Sequence, residues 1–257
     1  MLLAILQART SSTRLPGKVL KPILGHPMLS LQIERIQRSK KIDKLIVATS
    51  NDRSDSDIEN LCINIQIPCF RGSLDDVLDR FYQTAMQYKP EHVVRLTGDC
   101  PLIDPEIIDK VISFYFEGDY DYATNSIVPY NTFPDGLDVE VFRFTVLEKA
   151  WHEALLPSHR EHVTPFIRQH PEKFKVGHYK NEVDLSHLRW TVDEPEDFEL
   201  ASQIYKELYP QNPTFITEDI LELISGKPSL LGINSHVGRN LGAKKSAEAD
   251  KLFLKKL

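Results

Sequence analysis

Short apolar runs alternate with segments of helical period over the first 117 residues, and this alternation constrains the fold more than any other property of the sequence. Leu2 to Ala8, "DKLIVATS", "NIQIPCF" and "EHVVRLT" are brief, mostly apolar runs. Runs of that length and character read as strands buried on both faces. Between them stand "HPMLSLQIERIQRS", "SDIENLCI" and "SLDDVLDRFYQTAMQY". In the last of these, Leu74, Val77, Leu78, Phe81 and Ala85 fall on one side of a helix. "DPEIIDKVISFYF" follows the fourth run, with Asp104 as its N-cap and Pro105 in its first turn. A strand returning parallel to its neighbour needs a crossover of helical length, so strand–helix–strand units predict an α/β fold. The expected sheet is mixed but mostly parallel, with helices on both faces.

After residue 117 the pattern loosens. "DYDYATN", "LDVEVF", "KFKVGHY" and "LRWTV" read as strands, and "RFTVLEKAWHEAL", "SHREHVTPFIRQH", "PEDFELASQIYKELY" and "TEDILELIS" as helices. No repeat or clear linker interrupts the chain, so residues 1–228 are expected to form a single domain. From Ser229 the composition turns to Gly, Asn, Ser and Lys. Residues 229–257 are therefore expected to be a flexible tail, with a short amphipathic helix at its end.

At 257 residues the chain can bury a substantial core. Its formal net charge of −6 argues against coating nucleic acid, while leaving room for a local basic site. Cys62, Cys69 and Cys100 form neither a C-x-x-C pair nor a disulfide framework, which fits a reduced, cytoplasmic setting. "MLLAIL" is too short for a signal peptide, and no run approaches the ~20 apolar residues of a membrane span. The expected protein is cytoplasmic and engages neither membrane nor nucleic acid.

In open α/β sheets ligands bind at the carboxyl ends of the strands. "ARTSSTRLPGKVL" stands there after the first strand and places Arg9, Arg14 and Lys18 among free hydroxyls, including Ser12. Guanidinium and ammonium groups at such a point suit phosphate oxygens. The loop matches neither the dinucleotide fingerprint nor the Walker motif. "RLTGDCPLID" places Asp99 at the carboxyl end of the fourth strand, where a carboxylate suits Mg²⁺ shared with substrate phosphates. Asp193 in "RWTVDEPEDFEL" could complete a metal site or simply open a helix. In "FPDGLDVEVF", Asp138 and Glu140 would share one strand face and line a polar pocket. Arg71-Gly72-Ser73 joins a strand to a helix, where Gly72 would let a base or ribose approach the backbone or merely serve a loop. His159 and His162 lack the further ligands a zinc site needs.

Taken in this order, these motifs resemble the cytidylyltransferases that activate acidic sugars. The spore-coat-polysaccharide branch is the nearest, and the CMP-Kdo and CMP-sialic or other nonulosonic acid synthetases are wider relatives. The resemblance covers roughly residues 1 to 225. Arg9, Ser12, Arg14, Leu15-Pro16-Gly17 and Lys18 keep the spacing of the CMP-Kdo synthetase phosphate loop, and "TGDCPLID" matches the metal-aspartate motif. "FPDGLDVEVF" and "RWTVDEPEDFEL" look like the spore-coat branch.

The resemblance implies a Rossmann-like nucleotidyltransferase fold of the kind shared with GT-A glycosyltransferases. It further implies CTP as donor, Mg²⁺ as cofactor, a sugar acceptor, release of pyrophosphate and a homodimer. Residue by residue, Arg9, Ser12, Arg14 and Lys18 would hold the triphosphate, and Gly72, Ser73 and Arg80 would lie near cytosine and ribose. Asp99 and Asp193 would bind Mg²⁺, and Asp138 and Glu140 would face the acceptor sugar. Lys18, Arg14 and Asp99 would carry catalysis. The acidic acceptor stretch also leaves a neutral or amino-bearing sugar open. The alternative is another nucleotidyltransferase, or a glycosyltransferase using Asp119-Tyr120-Asp121 as its metal motif.

Overall fold

The computed structural model describes residues 1–127, 130–238 and 241–255. The first half runs β1 (Leu2–Gln7), the hairpin strands β2 (Pro22–Ile23) and β3 (His26–Pro27), α1 (Met28–Ile36), β4 (Lys44–Ser50), α2 (Ser56–Asn64), β5 (Cys69–Gly72), α3 (Val77–Tyr88), β6 (His92–Thr97) and α4 (Pro105–Glu117). Then come β7 (Tyr122–Thr124), β8 (Glu140–Arg143), α5 (Phe144–Glu153), α6 (Pro157–His162), α7 (Pro165–Arg168), β9 (Val176–His178), α8 (Pro195–Leu208), α9 (Thr217–Gly226) and α10 (Leu241–Leu254). No helix among the described residues is long and apolar enough to cross a membrane.

Among the described residues, seven strands pair in the order β5-β4-β1-β6-β8-β7-β9. β5, β4, β1 and β6 are mutually parallel, β8 is antiparallel to both β6 and β7, and β9 is parallel to β7. The mostly parallel mixed sheet expected from the sequence is thus the one observed. Its two faces bury separate cores, as the period of two in a strand requires. Leu2, Ala4 and Leu6 of β1 pack with Ile33 of α1, Ile108 of α4 and Leu200 of α8, whereas Leu3 and Ile5 pack with Leu78 of α3, Leu147 of α5 and Ile167 of α7.

The topology also places the site. From β1 the chain steps outward to β4 and β5, then crosses back over the sheet through α3 to pair β6 on the other side of β1. The order therefore reverses between β1 and β6, whose carboxyl ends flank a crevice. Ala8-Arg9 and Gly98-Asp99 follow those two strand ends.

Several segments depart from the sequence reading, each for a visible reason. β5 begins at Cys69, because Pro68 offers no N–H to a ladder and Ile65–Ile67 are used in closing α2. In "LDVEVF" the strand begins at Glu140. Upstream, the Asn125 side chain donates to the Leu137 carbonyl at 2.8 Å and accepts from the Val139 N–H at 2.9 Å, taking the place of a ladder. Asp138 therefore precedes the strand instead of sharing a strand face with Glu140. "LRWTV" makes a single bridge, Asp135 to Arg189, because its N–H groups bond to loop carbonyls of Asp135 and Asp99. "SHREHVTPFIRQH" divides into α6 and α7 at Val163, whose φ is +70°, just before Pro165. The C-terminal segment carries α10, which packs on α6. Asp250 accepts from the Ser158 N–H at 2.9 Å.

Candidate active site

A cleft of about 1120 Å³ opens at the crevice between β1 and β6. Arg9, Ser12, Arg14 and Lys18 line it from the loop after β1. That loop is folded by its own polar groups. The Thr10 carbonyl accepts from the N–H groups of Ser12 and Gly17, at 2.9 Å each, which brings Lys18 back beneath the turn. Thr10 is tied in turn to the neighbouring βα unit, its N–H and hydroxyl both donating to Asp55 Oδ1 at 2.7 Å. Asp55 is fully buried, which alone would raise its pKa. Hydrogen bonds from Ser50 and Thr10 outweigh burial and hold it below the usual aspartate value.

Lys18 joins the two carboxylates that the sequence could not bring together. The residue is 8% exposed. Its Nζ donates to Asp99 Oδ2 at 3.3 Å, Asp193 Oδ1 at 2.9 Å and the Val192 carbonyl at 2.6 Å. Burial favours the neutral amine, yet Asp99 and Asp193 more than offset it, and the Lys18 pKa is raised. Burial likewise works against ionised Asp99, but Lys18 and the Thr97 hydroxyl hold its pKa below the ordinary value. Arg14 reaches Asp193 as well, at 3.1 Å, and pairs with the adjacent Glu194 at 3.2 Å.

Arg189, which the sequence reading did not single out, holds the far side of this cluster. Its Nη2 donates to Asp193 Oδ2 at 3.1 Å and its Nη1 to Asp135 Oδ2 at 2.9 Å, while Nε and Nη2 form a two-pronged pair with buried Asp197 at 2.9 Å each. Gly136 lets the two chains meet here. Its φ is +110°, and a Cβ would fall 2.4 Å from the Thr191 backbone nitrogen.

Towards α3 the cleft is lined by Arg80, 1% exposed, whose Nε and Nη1 have no hydrogen-bond partner among the described residues. Burial, reinforced by repulsion from Arg9, lowers its pKa to about 10. Gly72 and Ser73 stand outside the described cleft lining. A Cβ on Gly72 would lie 2.9 Å from Phe70 Cε1 and 3.1 Å from Arg80 Cγ, so the missing side chain makes room for Phe70 and Arg80. Ser73 accepts from the Asp76 N–H at 3.0 Å; Asp76 caps α3 and pairs with Arg160 of α6.

The cleft also carries Glu140, Asp138, Arg95 and Arg168. Glu140 pairs with Arg95 and accepts from the hydroxyls of Tyr122 at 2.5 Å and Thr164 at 2.6 Å. Burial would raise its pKa, but Arg95, Arg168 and those hydroxyls together lower it. Asp138 lacks such help: burial, with the like charges of Asp135, Glu140 and Asp99, raises its pKa to about 7. The Nε groups of Arg95 and Arg168 are buried without a partner among the described residues. Arg95 and Arg168 were missed because each is an isolated arginine in an element legible for other reasons.

Among the described residues, eight arginine and lysine side chains and eight aspartate and glutamate side chains line the cleft, so their formal charges cancel. A polyphosphate bound there would need neutralisation from elsewhere, which a divalent cation supplies. Among the described residues no group of three or more His, Cys, Asp and Glu side chains is arranged to hold a metal by itself. Asp99 and Asp193, converging on one ammonium, are hard oxygen donors of the kind that hold Mg²⁺ jointly with substrate phosphates, so the residues present fit that ion. Asp119 and Asp121 both pair with Arg143, outside the described cleft lining.

The sequence model of a family described as cytidylyltransferase matches residues 3–223. The spore coat polysaccharide biosynthesis protein SpsF of Bacillus subtilis is 34% identical over 236 residues, covering 88% of this chain and 95% of that protein. The 8-amino-3,8-dideoxy-manno-octulosonate cytidylyltransferase of Shewanella baltica is 34% identical over 124 residues, 47% of this chain and 50% of its own length. Among solved structures, a cytidylyltransferase from Leptospira borgpetersenii superposes with a TM-score of 0.83 at 35% identity, covering 89% of this chain and 95% of the other.

Proposed function

The chain belongs to the cytidylyltransferase family, and we propose that it transfers CMP from CTP to an acidic sugar destined for a surface polysaccharide, releasing pyrophosphate. Lys18 is the residue that carries this assignment: one buried ammonium fixes Asp99 and Asp193 at the point where the sheet order reverses, beneath a loop of cations. Arg9, Ser12, Arg14 and Lys18 would receive the β- and γ-phosphates, and Arg80 would offer its unpartnered N–H groups to the nucleoside. Gly72 and Ser73 would support the nucleoside end from behind, through Arg80 and Asp76.

Asp99 and Asp193 would hold Mg²⁺, which when bound polarises the α-phosphate and makes the acceptor hydroxyl more acidic. In the transfer the acceptor oxygen would attack the α-phosphorus and give its proton to solvent, the bond to the oxygen bridging to the β-phosphate would break, and pyrophosphate would leave with that oxygen. Positioning and charge neutralisation suffice for such a transfer, and no protein base is needed. At the acceptor end Arg95 and Arg168 have buried N–H groups to spare for a carboxylate, and Asp138 and Glu140 would take sugar hydroxyls or an amino group. The Shewanella relative acts, by its name, on an acidic sugar that also bears an amine. The glycosyltransferase alternative loses support, since Asp119 and Asp121 pair with Arg143 outside the described cleft lining.

Pyrophosphate release should be measured with CTP, UTP, ATP and GTP, each with Mg²⁺ and a panel of acidic, amino and neutral sugars. Turnover confined to CTP and acidic sugars is expected. Turnover with another nucleotide alone, or with neutral sugars alone, refutes the corresponding half of the assignment.

A further inference from the structure

The family match ends at residue 223, yet the chain beyond it returns to the cleft. After a 3-10 turn at Pro228–Gly232, Asn234 enters the interior with 5% of its surface exposed. Its Nδ2 donates to the Arg189 carbonyl at 3.0 Å and to Asp197 Oδ1 at 2.8 Å. Asp197 is thereby saturated. Its Oδ1 accepts from Asn234 and from Arg189 Nε at 2.9 Å. Its Oδ2 accepts from Arg189 Nη2 at 2.9 Å and from the N–H groups of Asp193 and Glu194 at 3.0 Å each.

These bonds fix Asp193 from two directions. The backbone at Asp193 is pinned by Asp197, and its Oδ2 is met by the Arg189 guanidinium that Asp197 holds in plane. That leaves Asp193 Oδ1 turned towards Lys18 and Arg14, inside the cleft. Partners that orient a ligating carboxylate act on the ligand as strongly as many direct contacts do.

We infer that Asn234 is a positioning residue for Asp193, so that the segment beyond the family match is a working part of the active site. This rests on the functional reading above, in which Asp193 holds the divalent ion. Further along, α10 strengthens the connection. Ser246 donates to Glu161 at 2.9 Å and meets His162 Nε2 at 2.8 Å, and Gly238, Ser246 and Ala249 contribute to the cleft wall.

Full-length Asn234→Ala and Asn234→Asp proteins test this. Asn234→Asp keeps the shape, removes the donor and sets a carboxylate against Asp197. Mn²⁺ binding in the presence of CTP, followed by electron paramagnetic resonance, is read beside thermal melts and kcat and KM for CTP. Both variants should weaken Mn²⁺ binding about 10-fold and lower kcat by a similar factor, with KM for CTP at saturating metal within about twofold of wild type. Mn²⁺ binding unchanged in both variants overturns the inference, whatever happens to the melting temperature. So does an Asn234→Asp protein that matches wild type while Asn234→Ala is impaired, since Asn234 would then only fill space. A wild-type chain that binds Mn²⁺ with CTP and turns over, with variants that do the same, fails this inference alone. A wild-type chain that binds no Mn²⁺–CTP defeats the functional reading as well.

Discussion

Replacing Lys18 by methionine isolates the group on which the site is built. Methionine keeps the buried stem and removes the ammonium, leaving the Val192 carbonyl without its donor and Asp99 and Asp193 facing each other. A buried carbonyl left unpaired costs about 1–3 kcal/mol. Stripping one partner from a fully buried ion pair would cost about 3–5 kcal/mol. Here the carboxylate side chains of Asp99 and Asp193 are 30% and 21% exposed, so water screens much of their repulsion. That contribution falls to about 1 kcal/mol. The sum is about 2–4 kcal/mol, a fall in melting temperature of roughly 5–15 °C for a chain of this size.

Its pH dependence has a definite sign. In the wild type the Asp99 pKa is depressed, so that contribution is present above the ordinary aspartate pKa and is lost as pH falls through the depressed value. The Lys18 pKa is raised, so its contribution is fully present below about 10.4 and is lost as pH rises beyond that. The gap between wild type and Lys18→Met should therefore be widest between about pH 4 and pH 10 and narrow outside it. Circular-dichroism melts across pH in metal-free buffer measure this, and pyrophosphate release measures the accompanying loss of turnover, about 10²- to 10³-fold. A variant that melts within 2 °C of wild type, on the order of 0.5–1 kcal/mol, and keeps its kcat/KM would refute the reasoning.

Asp99→Asn should leave the fold intact and reduce turnover at least ~10²-fold; near-normal turnover with Mg²⁺ would remove Asp99 from the site. Asp138 has a raised pKa, so in the metal-free fold it holds a proton that the unfolded chain loses, and stability declines as pH rises from the ordinary aspartate value to about 7. Asp138→Asn should therefore raise the melting temperature at pH 8 but not at pH 4, and a pH-independent difference would contradict that environment. Arg168→Ala should raise KM for an acidic acceptor about 10-fold or more, as loss of a charged hydrogen bond does, without changing KM for CTP; equal effects on both would move Arg168 away from the acceptor.

What the sequence determined by itself was whatever local period and chain order encode. The parallel half of the sheet, the helices on its two faces and the place of the loop after the first strand were legible because buried strands and amphipathic helices announce themselves in short windows. Arg9, Ser12, Arg14 and Lys18 stand in the loop that follows β1, and Asp99 lies just past the end of β6, so chain order alone brings them to the cleft. The packing around Gly72 was not legible, because a glycine after a strand carries no mark of the Phe70 and Arg80 side chains that close on it.

Tertiary structure alone decided the long-range pairings. Lys18 meets Asp193 across 175 positions, and Asn234 meets Arg189 and Asp197 across 45 and 37. The same folding broke the expected "LRWTV" strand, whose N–H groups bond to loop carbonyls instead. An ionisable side chain carries no mark in the sequence of which opposite charge will neutralise it. Burial makes that pairing obligatory, and only the packed chain selects the partner.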